Sequence, residues 1–75
     1  MTERNKKIIE DAERLGIPIF VLTAKDKCST EAIRAYKSIC SGEGCPTPFL
    51  NEIQERIYDF DDYQSNPSNL VKLPD

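Results

Sequence analysis

The side chains with the most chemical potential in this sequence are its three cysteines, Cys28, Cys40 and Cys45. Cys40 and Cys45 bracket Ser41-Gly42-Glu43-Gly44, a tether flexible enough to let two thiols pair or share a metal ion. Structural zinc sites take four nitrogen or sulfur ligands. Cys28 would supply only a third, and the chain has no histidine. The simpler reading packs Cys40 on a helix face as a small hydrophobe. A Cys-dependent redox or metal-binding protein is the alternative. The charged opening residues do not read as a secretory leader, and the cysteine count is odd, so a reducing cytoplasm is the expected setting.

Lack of histidine also removes a Ser-His-Asp triad and a Cys-His nucleophile pair. Gly42-Glu43-Gly44 is too short to cradle a phosphate and sets an acid where the anion would sit. Asp59, Asp61 and Asp62 lack the spacing of a calcium loop. They fall at the C-terminal end of an expected helix, where negative charge opposes the macrodipole and solvation is the expected remedy. Lys25-Asp26-Lys27 is a charged turn, without the burial that would make a reactive lysine. Paired carboxylates of the glycosidase kind need a cleft, and 75 residues offer little room for one. No catalytic set and no cofactor motif emerges. The chain is expected not to be an enzyme.

Charge narrows the partners. The net charge is −3, and it is unevenly spread: residues 1–41 carry eight basic and six acidic side chains, residues 42–75 two and seven. An acidic half of this kind disfavours nucleic-acid binding, since affinity for the backbone comes from Lys and Arg neutralising phosphates. It leaves an acidic nucleic-acid mimic as a further alternative. No apolar run approaches the ~18 residues of a membrane span.

The elements that must position these residues follow from periodicity. Within a first segment of residues 1–15, a helix starts at Thr2; Ile8, Ile9, Ala12 and Leu15 form its stripe, with Glu3–Lys7 and Glu10–Arg14 as i,i+4 pairs. Gly16 stops it. Pro18-Ile19-Phe20-Val21-Leu22 is short, β-branched and aromatic, and reads as a strand-like segment over residues 18–22. Its only candidate mate in the chain is Leu70-Val71-Lys72-Leu73. Pairing with that tail, pairing with a second chain, and an extended run without a ladder all remain open.

Ser29 reads as the cap of a helix over residues 30–40 whose face is Ala32, Ile33, Tyr36, Ile39 and Cys40. Thr47-Pro48 reads as the cap and first residue of a helix over residues 48–63. Its stripe is Phe49, Leu50, Ile53, Ile57 and Phe60, supported outside by Glu52–Arg56. As the recognition helix of a helix-turn-helix, this element would set five acids against Arg56 and repel phosphate. Asn66-Pro67 breaks the pattern within a tail over residues 64–75. Residues 1–75 thus make a mainly α, single small domain of three amphipathic helices with one strand-like segment.

The run Pro18-Ile19-Phe20-Val21-Leu22-Thr23-Ala24-Lys25-Asp26, with Ser29 and the closing Lys72-Leu73-Pro74-Asp75, resembles a group of short bacterial and phage-borne proteins without assigned function. Tyr63 stands about where that group often carries tryptophan. The resemblance implies a cytoplasmic prokaryotic or phage accessory protein and supplies no reaction and no functional residues. A domain of this size buries only about 60% of the surface its unfolded chain exposes, so an unpaired apolar segment is hard to protect. Together these features point to a small interaction protein that binds itself or a protein partner. The candidate surface is Ile19, Phe20, Val21, Leu22, Leu70, Val71 and Leu73. No nucleic acid, membrane or cofactor is expected.

Overall fold

The Thr2 hydroxyl accepts a hydrogen bond from the Asn5 N–H at 3.2 Å and so caps α1 (Glu3–Leu15) in a computed structural model that describes residues 2–74. Gly16 ends the helix in the left-handed conformation, φ 69°. Its N–H reaches the Glu13 carbonyl, while the Ile17 N–H donates to the Ala12 carbonyl at 2.9 Å. Arg14 pairs with Asp11 one turn back, not with Glu10 as spacing suggests.

Asp26 starts the second helix. Its carboxylate accepts from the Cys28 N–H at 2.8 Å, and its carbonyl takes both the N–H and the hydroxyl of Ser29. Ser29 is therefore the first residue of α2 (Ser29–Gly42) and not its cap, a position that falls on Cys28. At the far end, Gly44 (φ 82°) repeats the closure of α1, with Gly44 N–H on Ser41 O and Cys45 N–H on Cys40 O at 3.0 Å. Pro46 precedes α3 (Thr47–Ser65), and its carbonyl accepts from Phe49 and Leu50. Proline is thus the second helical residue, one place later than the Thr47 cap would put it.

α2 and α3 form an antiparallel pair, as three cross-links show: Thr30 to Gln64, Arg34 to Asp61, and Lys37 to Gln54. The seam is apolar towards the connecting turn. Cys40, Ile53 and Ile57 are buried there, and Ile33, Cys45, Phe49 and Leu50 pack on them. At the open end the seam becomes polar, around the buried Ser29 and Thr30. The inward line of α2 is Thr30, Ile33, Lys37 and Cys40. Tyr36 and Ile39, expected on it, stand 52% and 63% exposed, because each lies one residue, or roughly 100°, round the helix from that line. Ala32 is exposed as well.

α1 adds little to this core. Ala12 is buried and Ile9 half-buried, but Ile8 and Leu15 of the same stripe face solvent. Arg4 anchors it, pairing with Glu52 and lying 5.9 Å from the Phe49 ring centroid. Glu52 is thereby taken from the expected i,i+4 partner Arg56, which turns to Glu55 and Asp59.

Among the described residues the tail makes no backbone hydrogen bond with residues 19–22. Asn66 turns it, accepting from the Ser68 N–H, and Asn69 and Tyr63 pin it to the end of α3. It then runs beside residues 25–27 as a parallel bridge, with Lys27 N–H on Lys72 O at 2.8 Å and Lys72 N–H on Lys25 O at 2.9 Å. Those backbone groups win the tail because Asn66 directs it along the loop that α3 already holds.

Candidate interaction surface

Gln64 holds that loop. Its amide nitrogen donates to the carbonyls of Ala24 and Asp26, each at 3.1 Å, and to the Ser29 hydroxyl, while its oxygen accepts from Thr30 at 2.9 Å. Among the described residues no buried side-chain nitrogen or oxygen lacks a partner. The polar end of the fold is thus closed by hydrogen bonds, and it fixes where the preceding segment ends.

That segment is open. Residues 18–22 lie outside any helix or strand and, among the described residues, make no backbone–backbone hydrogen bond. Phe20 is 86% exposed, and Ile17, Ile19 and Val21 are exposed beside it; Leu22 is half-buried. In the tail Leu70 and Leu73 are exposed and Val71 is half-buried. The structure does not pair these two expected halves of one surface. Instead Leu22 joins an open groove of about 400 Å³ between α1 and the α2–α3 pair, lined also by Ile8, Ile33, Tyr36, Phe49 and Phe60. Sequence reasoning placed Ile8 and Tyr36 in the core. The signal it passed over was three apolar stripes in a chain whose pair of longer helices already completes a core.

The acids of α3 are largely answered by arginines rather than by solvent alone. Asp61 takes Arg34 at 2.5 Å, Asp59 takes Arg56 and Glu52 takes Arg4. Asp61 holds the Arg34 guanidinium above its ordinary value, by its hydrogen bond and then its charge.

Cys40 is buried, Cys45 half-buried and packed on the core, and Cys28 exposed; all three are free thiols. Cys45 therefore does not hang loose in a glycine loop, as the tether suggests. Burial first, and then the Cys40 thiol beside it, push its thiol up. Among the described residues no three Cys, Asp or Glu side chains gather as a metal-ligand group. No helix among them is long and apolar enough to cross a membrane. No family model matches the chain, and no curated protein or solved structure shows significant similarity to it.

Proposed function

We propose that this chain is a non-enzymatic interaction protein that completes its apolar surface against a protein, and that the first such partner is a second copy of itself. The carrying observation is surface area. The chain exposes 5904 Å² at 8.5 kDa, where a folded monomer of that mass exposes about 4,700 Å². The excess exceeds the ~800 Å² that each partner contributes to a standard interface. Shape agrees: the radius of gyration is 13.7 Å, against about 11.3 Å for a compact 75-residue domain. Exposed large apolar side chains run together at Ile17, Ile19, Phe20 and Val21, and Ile8 and Tyr36 line the groove beside α1.

Free backbone groups at residues 19–21 give a second chain a strand edge, and Phe20 gives it an anchor of the aromatic kind that dominates interfaces. A cytoplasmic, bacterial or phage setting accompanies this reading, supported by the three free thiols and by the resemblance above. The net charge of −3 favours a protein partner over nucleic acid.

Light scattering over a dilution series tests the reading. The wild type is expected to dimerise, Phe20→Asp to remain a folded monomer, and Tyr58→Ser, an exposed aromatic outside the groove, to behave as wild type. A wild type that is monomeric at every concentration rejects the self-association.

A further inference from the structure

The closures that end α1 and α2 are the same six-residue motif, and they differ in what they bring together. In each, a left-handed glycine lets the N–H of the sixth residue reach the carbonyl of the first, and the N–H of the fifth reach that of the second. This geometry sets the first and sixth side chains against each other. At the end of α1 these are Ala12 and Ile17; at the end of α2 both are cysteines.

The Cys45 N–H to Cys40 O bond is 3.0 Å. Covalent geometry adds about 1.5 Å from that nitrogen to its Cα and about 2.4 Å from that oxygen to its own. The two Cα atoms therefore lie within the ~7 Å beyond which no disulfide closes. Both side chains are drawn to one spot, Cys40 in the core and Cys45 packed against it. Cys28 is no competitor. It stands at the opposite end of α2 from Cys40, about 18 Å along the helix axis at 1.5 Å per residue.

We infer that Cys40 and Cys45 form a dithiol site that closes to an intramolecular disulfide by exchange with a small disulfide of the glutathione class. The Cys45 thiolate, on the more exposed side, attacks one sulfur of the small disulfide. That S–S bond breaks, a mixed disulfide forms on Cys45, and one small thiolate leaves. The Cys40 thiolate then attacks the Cys45 sulfur and expels the second. The protein loses two electrons and two protons; the small disulfide takes up both and becomes two thiols. Closure staples the turn between α2 and α3 in the conformation that Gly44 already gives it. Burial and the neighbouring Cys40 thiol push the Cys45 thiol up, so little of it is thiolate and the first attack is slow. This inference is independent of the self-association reading.

The full chain carrying Cys28→Ser leaves only the pair. It is equilibrated with reduced and oxidised glutathione, quenched in acid and read by intact mass and peptide mapping, both folded and in urea. Folded protein is expected to lose about 2 Da, with Cys40 and Cys45 in one cross-linked peptide, and to close with an equilibrium constant at least about tenfold above that in urea. Far-UV circular dichroism confirms that the variant is folded, and the oxidised form should melt higher than the reduced. Accumulation of the glutathione adduct, persistence of both thiols, or closure no more favourable than in urea overturns the inference.

Discussion

Gln64 ties the end of α3 to the loop before α2 and to the first residues of α2. One amide reaches across 34 to 40 residues of sequence to two loop carbonyls and two hydroxyls. Nothing in the sequence near residue 64 marks it, because its partners are backbone groups whose position depends on the fold being formed. Ser29 reads in sequence as an ordinary cap, yet it and Thr30 are buried as counterparts of Gln64. Removing the amide leaves buried groups without partners, which costs more than the bonds themselves are worth. Gln64→Leu should therefore lower stability by about 1–3 kcal/mol in urea unfolding. Gln64→Glu should fall nearly as far, since a carboxylate can accept from Thr30 but cannot donate to Ala24 and Asp26. Equal midpoints for Gln64→Leu and wild type would show the loop to be held by something else.

Helices announce themselves through their ends, and those of this chain were readable in sequence: Thr2, Gly16, Ser29 with its charged turn, Gly42 and Gly44 at the close of α2, and Thr47-Pro48. The starts of α2 and α3 fall one residue upstream of expectation, so that Cys28 and Pro46 hold the cap positions, and both helices run two residues past their expected ends. Faces were harder to read. On α3 the stripe through Ile53 and Ile57 is the buried one, whereas on α2 Ile39 and Tyr36 turn outward. Periodicity finds an apolar stripe, but it cannot say whether another element covers it. Ile57, 2% exposed at the centre of the seam, should cost roughly 2–5 kcal/mol when cut to alanine. Ile39→Ala, on the uncovered face, should fall within about 0.5 kcal/mol of wild type. Denaturant melts of the two variants make the comparison directly; similar losses would mean that the face of Ile39 is covered after all.

At the scale of the molecule, a closed α2–α3 pair carries a loosely attached first helix. The tail belongs to the closed part, through Tyr63, Asn69 and the bridge to Lys25 and Lys27. Its docking site was beyond the sequence because Leu70-Val71-Lys72-Leu73 offers only backbone groups to a loop with no strand pattern of its own. Deleting residues 68–75 should accordingly lower the melting temperature by uncovering residues 25–27. It should leave the concentration dependence of oligomer size unchanged, since the described tail makes its backbone bridge to residues 25–27 and not to residues 19–21. A truncated chain that aggregates through a newly exposed edge would show that the tail guards that segment. The open run between α1 and the loop has a further consequence. Proteases cut preferentially where chain is exposed and free of internal hydrogen bonds, and residues 18–22 meet that description with a phenylalanine at their centre. A single cut after Phe20 would leave the 13 residues of α1 as a helix too short to persist in water. Association across this segment would then be what decides whether the chain keeps its first helix or loses it to degradation.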